Sequence, residues 1–286
     1  MEQLNEVDYH KLTEPLQQVT INNLFARAVV EQKVKGQVFV DDCGNPSTFY
    51  VIHPYGMTLL FGKSNNHSFN NRFKAYALNQ NGARNKHEWM QAFPNSWDPV
   101  LQDLFGESLI PAAQNTTQQE KGVIELNTRV NFTFNKEKFL SNRKLMTDPD
   151  IRIIPANGEL FRGMKGSVIP ANFWNNEADF LKNGLAYCLF YQDHLASMAF
   201  SSFWFGNRFE LGIETIPSFR GKGFARLVCS ALIDYCLAND YEPIWACRLE
   251  NTGSYQLALQ LGFEVCRTVP YYRLSRAYLK SNFLII

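Results

Sequence analysis

The chain has 286 residues, of which 45% are apolar and 19% charged, with a net charge of +1 at pH 7. A length beyond roughly 250 residues favours two domains or one enlarged one. The aromatic share of 14%, 23 of these residues Phe, excludes a disordered chain and points to core and pocket lining. Basic and acidic residues number 15 and 14 up to residue 146, then 13 and 13 after it, so neither half carries the electrostatic footprint of a nucleic-acid binder.

In chain order, residues 15–34 have a loose helical pattern of apolar positions. A hairpin follows, with strands at Gln37–Val40 and Thr48–Ile52 around the turn cluster Asp41–Pro46, and a third strand at Met57–Phe61. Residues 63–72 and 80–87 read as polar loops. Glu107–Gly122 has the most linker-like composition. Val123–Phe134 alternates as a long strand, and 135–146 as a short helix, closing a first unit over 1–146. In a second unit over 147–286, Ile151–Ile154 is strand-like and 173–182 helical. Ala186–Tyr191 and Leu195–Phe200 form another hairpin, and Phe209–Thr215 a further strand. Phe224–Ala238 has apolar residues at helical spacing, with Phe224, Val228, Ala231 and Tyr235 on one face. A strand at Ile244–Arg248, a helix over Thr252–Leu261 ended by Gly262, and strands at Phe263–Thr268 and Tyr271–Leu274 complete the pattern. The Gly36 and Gly184 hairpins resemble each other at an offset of 148 residues, which would fit an internal duplication.

Six cysteines, Cys43, Cys188, Cys229, Cys236, Cys247 and Cys266, form no C-x-x-C pair and mostly sit in apolar runs, as reduced core thiols do. Met1–Glu6 lacks a basic segment followed by an apolar run, and no stretch of about 20 apolar residues occurs. The expectation is a soluble, cytoplasmic protein with no membrane or nucleic-acid partner; nothing in the sequence speaks to its oligomeric state. The five histidines share no metal-type spacing, so no metal is expected, and no G-x-S-x-G nucleophile elbow is present.

The informative segment is Glu210–Ala225. A strand ends, a glycine-rich turn Arg220-Gly221-Lys222-Gly223 follows, and a helix opens at once with Phe224 and Ala225. Such a helix start presents unpaired N–H groups and a positive dipole end, and the glycines let a phosphate approach the backbone, as a pyrophosphate cradle requires. Lys222 is followed by Gly223 where a Walker loop needs Ser or Thr, and Arg226 stands where a dinucleotide loop needs its third glycine, so both alternatives fail. About 30 residues later come Trp245–Arg248, then Asn251-Thr252-Gly253-Ser254, then Leu261-Gly262-Phe263.

With these blocks in this order, the chain resembles the GNAT (N-acetyltransferase) superfamily over residues 150–275. The resemblance implies a mixed α/β fold, a mostly antiparallel sheet flanked by helices, preceded by an N-terminal α/β domain that would be a degenerate second copy. It implies acetyl-CoA as co-substrate. Backbone N–H groups from Arg220 through Gly221, Lys222, Gly223 and Phe224 to Ala225 would hold its pyrophosphate. The backbone of Ile213, Glu214 and Thr215 would pair with the pantetheine arm, and Asn251 and Ser254 would line its channel; a helix cap, with Asn251 at the N-cap and Ser254 near its third position, is the other reading of these two, and the roles can coexist.

The implied reaction is direct attack of a primary amine, on a small molecule or a polypeptide, at the thioester. A base must take the amine proton. Glu214 is the first candidate and Glu210 the second. Ser218 stands where the family has Gln or Arg, and Ala258 where many members carry a Tyr that protonates the leaving thiolate; Tyr255, Tyr271, Tyr272 or water could replace it. A non-catalytic acyl-CoA sensor on the same fold and an aminoacyl transferase using charged tRNA are the other readings.

Overall fold

Thr48–Ile52 is buried at every position and Met57–Gly62 at all but the last, which marks strands covered on both faces. They form part of a sheet in the computed structural model of the protein, which describes residues 1–112, 122–143 and 148–276. In chain order the elements are β1 (Glu2–Gln3), α1 (Thr13–Gln17), α2 (Leu24–Val30), β2 (Gln37–Val40), β3 (Thr48–Ile52), β4 (Met57–Gly62), α3 (His67–Ala77), β5 (Glu88–Phe93), α4 (Trp97–Phe105), β6 (Leu109–Pro111) and β7 (Ile124–Phe134). Then follow α5 (Lys136–Asn142), β8 (Ile151–Pro155), α6 (Gly158–Gly163), α7 (Glu177–Asn183), β9 (Ala186–Tyr191), β10 (His194–Phe205), β11 (Arg208–Thr215), α8 (Phe224–Ala238), β12 (Glu242–Ile244), β13 (Ala246–Arg248), α9 (Thr252–Gln260) and β14 (Phe263–Leu274).

Two units emerge. The first comprises Met1–Ile21, Gly36–Thr128 and the chain from Val269; the second comprises Asn22–Lys35 and Arg129–Thr268. The division differs from a single cut between residues 146 and 147. That point lies outside the described residues, and the chain on both sides of it belongs to the second unit. The division falls instead inside β7 and β14, each of which starts in one unit and ends in the other.

In the first unit β1 to β4 are antiparallel neighbours, and α3 carries the chain to β5, which lies parallel to β4. Tyr272–Leu274 of β14 pairs with β5. Tyr50, Leu60, Phe69, Phe73, Met90 and Trp97 are core, each such side chain contributing roughly 1.5–3 kcal/mol of burial. The helix α3 replaces the loop expected over 63–72. Only Phe69, Phe73 and Ala77 of its apolar residues are buried, one per turn, so its pattern is masked by polar neighbours. The Asn66 side chain starts it by accepting the Phe69 amide at 3.0 Å. Strand β5 is hidden for a similar reason. Its buried Glu88 is satisfied by the Tyr50 and Tyr76 hydroxyls, which donate to its carboxylate at 2.6 and 2.5 Å.

In the second unit β8 to β11 are antiparallel, and α8 carries the chain to β12, parallel to β11. The order of three antiparallel strands, a crossover helix, a parallel strand and a helix is the same in both units. The α8 residues Val228, Cys229, Leu232 and Ile233 are fully buried, in one cluster with Leu189, Ala196, Ala199 and Leu211 of the sheet. The helix α2 also belongs here and packs on β10, Phe25 lying 6.3 Å from Phe203. The strand expected at 244–248 is two strands broken at Trp245, and the two expected at 263–274 are one. Residues 113–121, most of the expected linker, lie outside the described residues; β6 occupies part of the remainder. Among the described residues no helix is long and apolar enough to cross a membrane. Cys188, Cys229, Cys236 and Cys247 are buried free thiols.

His53, fully buried after β3, accepts the Tyr55 amide on Nδ1 at 3.0 Å, and burial, aided by the charge of Lys86, lowers its pKa to about 3. The unfolded chain takes up this proton near pH 6.5 while the folded chain stays neutral, so stability falls as pH drops from about 6.5 towards 3, by up to ~1.4 kcal/mol per pH unit. Urea unfolding across this range should show that slope reduced in His53→Asn, which keeps an acceptor for Tyr55; equal slopes would mean that His53 does not titrate this way.

Candidate active site

The site begins with a parting of strands. Strand β12 pairs with β11 only over Arg208–Glu210. Beyond Ile244 the chain leaves β11: the Trp245 carbonyl accepts the Phe132 amide at 3.1 Å, and β13 pairs with Arg129–Asn131 of β7. On the other side, the Ile216 amide donates to Ala196 at 2.9 Å. Antiparallel alternation then turns the backbone groups of Glu214 and Gly212 towards β10, and those of Ile213 and Thr215 outward. Among the described residues no strand pairs with that outward edge. It is a strand-shaped opening with the polarity of a missing partner.

The opening leads to the start of α8. Gly221 and Gly223 have φ of 80° and 82°, in the left-handed region that favours glycine. Gly223 is the N-cap and supplies no side chain to the first-turn amides, which have no acceptor within the helix. A Cβ built at either glycine meets nothing within 4 Å, so the space before these amides is open. Unpaired amides at the positive end of a helix favour an anion. The equivalent helix start in the first unit differs. Asn66 fills the cap of α3, and its Nδ2 donates to the Asp41 carboxylate at 3.0 Å, so the protein supplies its own side chain to this helix start.

The two cations of the loop are already engaged. Lys222 Nζ lies 5.0 Å from the Tyr191 ring centre and 5.5 Å from that of Phe219. Arg220 donates through Nε to the Thr215 carbonyl at 3.0 Å and to Glu214 at 3.1 Å. The backbone amides, rather than these side chains, are the groups left facing the opening.

The two glutamates differ in surroundings. Glu214 is nearly buried, and one of its oxygens accepts the amides of Ser167 and Val168 at 3.0 and 3.1 Å while the other takes Arg220. A Cβ at Gly166, φ 145°, would lie 2.4 Å from that carboxylate, so glycine there lets the 166–168 segment close on it. Glu210 is 4% exposed and accepts from Asn22 at 2.8 Å and from Arg129 at 3.4 Å. Burial raises its pKa, against the lowering effect of Arg129 and Asn22. It is the last β11 residue paired with β12.

Asn251 is the N-cap of α9, its side chain accepting the Ser254 amide at 3.2 Å, and Ser254 Oγ takes the Trp245 indole N–H at 3.2 Å. Of the candidate acids, Tyr271 stacks on Trp89 at 5.3 Å and Tyr272 is buried beside Phe105, both in the first unit, as packing groups. Tyr255 leans on Phe132 at 5.7 Å, and Ala258 is fully buried. Among the described residues no group of His, Cys, Asp and Glu could hold a metal. Sequence reasoning missed Asn22, Arg129 and the Gly166–Val168 segment, which no local motif marks.

Removing the Glu214 carboxylate should free the segment it holds. In Glu214→Ala, amide hydrogen exchange at Ser167 and Val168 should quicken about tenfold or more, the loss of a charge-assisted bond of roughly 1.5–3 kcal/mol. Unchanged exchange would separate the segment from Glu214.

A family model described as GNAT acetyltransferase matches residues 14–272. The chain is 25% identical over 248 residues to an uncharacterized N-acetyltransferase, YdfB, of Bacillus subtilis (strain 168), covering 87% of this chain and 89% of that protein. Among solved structures, a GCN5-related N-acetyltransferase-like protein from Streptococcus suis 89/1591 matches with a TM-score of 0.67 at 16% identity, over 93% of this chain and 98% of that one. A tandem GNAT protein from the clavulanic acid biosynthesis pathway matches with a TM-score of 0.58 at 9% identity, over 95% and 97%. The family match spans both units, beyond the C-terminal half to which the sequence motifs are confined. The chain belongs to the GNAT acetyltransferase family.

Proposed function

We propose that the protein transfers an acetyl group from acetyl-CoA to a primary amine, with the donor held in the second unit. The observation that carries this is the continuity between the outward edge of Ile213 and Thr215 and the glycine-opened start of α8. A pyrophosphate would sit on the amides from Arg220 to Ala225. The pantetheine arm would add to β11 as a strand, and for this Arg220 must leave the Thr215 carbonyl. Asn251 holds the helix beside this channel as its cap, and Ser254 steadies Trp245 where the strands part. The first unit would then be a second copy whose helix start, closed by Asn66 and Asp41, holds no donor.

We assign the base to Glu210 rather than Glu214. The Glu214 carboxylate ties Arg220 to the 166–168 segment, which suits a positioning residue, whereas Glu210, whose oxygens accept from Asn22 and Arg129, has its pKa raised by burial. Glu210 stands beside the point where the thioester would lie, and its burial favours uptake of a proton. The amine gives its proton to Glu210 and its lone pair to the thioester carbon. A C–N bond forms, the C–S bond breaks, and the thiolate departs and is protonated from water. A backbone N–H of the Ile213 edge would stabilise the developing oxyanion. The acceptor amine, on a small molecule or a polypeptide, would meet the donor in the cytoplasm.

Glu210→Gln keeps the shape and removes the base. Its kcat should fall about 10²–10⁴-fold, with the acid limb of the pH–rate profile lost and the Kd for acetyl-CoA little changed. A kcat near that of the wild type would overturn the assignment. Absence of transfer by the wild type to a broad amine panel, with acetyl-CoA bound, would favour a non-catalytic acyl-CoA sensor.

A further inference from the structure

The second unit contains a half-open cavity of about 250 Å³ lined by Phe173, Trp174, Phe203 and Trp204, with Ala28 and Val34. A cavity of ~150 Å³ with apolar walls takes a benzene ring, so this one has room for a fused two-ring system. Its walls are fixed before any ligand arrives. The Trp174 indole N–H donates to the Ser201 carbonyl at 3.0 Å. Phe173 lies 5.4 Å from Phe200 and 5.5 Å from Phe203, and Trp174 lies 5.2 Å from Trp204. Asn175 clamps the segment after α2, accepting the Lys35 amide at 3.0 Å and donating to the Lys33 carbonyl at 2.8 Å.

At the mouth, Lys33 pairs with Glu31 at 2.8 Å and lies 5.4 Å from the Trp204 ring centre, and Asp179 accepts from the neutral amide of Asn183 at 2.8 Å. The interior offers ring faces and edges, which suit a flat uncharged group. Phe203 is the direct partner of Glu210 in the β10–β11 register. A β-bulge before Phe203 sets both Ser202 and Phe203 against Glu210, and the Ser202 hydroxyl donates to the Glu210 carbonyl at 3.0 Å. A ring seated against Phe203 therefore needs only a short chain to bring an amine to Glu210.

We infer that this cavity holds the aromatic ring of the acceptor, and that the substrate class is the arylalkyl primary amine, an aromatic ring joined to its amine by two or three carbons. The inference rests on the acetyltransferase reading and on Glu210 as base. In the transfer, the amine nitrogen of the bound arylalkylamine forms the C–N bond, its proton passes to Glu210, and the thiolate leaves.

The test uses the full chain and three readouts. Calorimetry with indole reports the cavity alone. Steady-state kinetics with tryptamine against ethylamine report its use by the acceptor. Acetyl-CoA calorimetry reports the donor site independently. Val34→Trp fills the cavity, and Ala28→Phe does so from the adjoining turn of α2 should the first variant fail to fold. The expected result is indole binding by the wild type, weakened about tenfold or more in the filled variants, since an apolar ring group is worth well over 1.4 kcal/mol. Tryptamine should exceed ethylamine in kcat/KM by about 100-fold, with the gap largely lost in the variants and acetyl-CoA affinity unchanged. No indole binding, or binding indifferent to both variants, would overturn the cavity assignment. Indole binding with no preference for tryptamine would overturn its role in the acceptor site. Loss of acetyl-CoA binding in the wild type would fall on the donor reading instead.

Discussion

The proposed donor site depends on one parting of strands in the second unit. Strand β12 accompanies β11 as far as Glu210 and then turns to β7 through β13. A sheet that ends its pairing in mid-strand leaves backbone donors and acceptors without their partners, a costly arrangement unless water or a ligand completes it. Here the unpaired edge points to the start of α8, where Gly223 withholds a capping side chain from amides that a cap would otherwise satisfy. Two local deficits of hydrogen bonding are thus placed end to end, and a donor with an amide-bearing arm and a pyrophosphate would satisfy both.

The same logic explains the contrast between the units. Both carry the order of three antiparallel strands, crossover helix and parallel strand. At the end of β4 the chain supplies Asn66 to cap α3 and Asp41 to hold Asn66, so the deficit is closed by the protein itself. At the end of β11 it is left open. Around that opening the carboxylates divide their tasks by environment. Glu214 organises a loop and an arginine, whereas Glu210, buried with Asn22 and Arg129, is held closer to a proton.

Much of this was legible in the chain because it is local. The turn Arg220–Gly223, the extent of α8 and the block from Asn251 to Phe263 are contiguous, although the buried face of α8 runs through Val228, Cys229, Leu232, Ile233 and Cys236 rather than through Ala231 and Tyr235. What was not legible is non-local or masked. Asn22 meets Glu210 across 188 positions and Ser167 meets Glu214 across 47, separations that no spacing rule reaches. The helix α3 buries one apolar residue per turn and so reads as polar. Strand β5 carries a buried Glu88 whose partners, Tyr50 and Tyr76, lie on other elements. The units divide inside β7 and β14 and at either end of Asn22–Lys35, so each is assembled from separate stretches of chain, which a reading in chain order does not reveal.

The most direct measurement is calorimetric titration of acetyl-CoA into the wild type and into a Gly221→Asp, Gly223→Asp double variant whose fold is checked by circular dichroism. Binding by the wild type and its loss in the variant, where two carboxylates stand before the α8 amides, is the expected result. A folded wild type that does not bind acetyl-CoA, or a folded variant that binds it equally well, would contradict the placement of the donor at the α8 start.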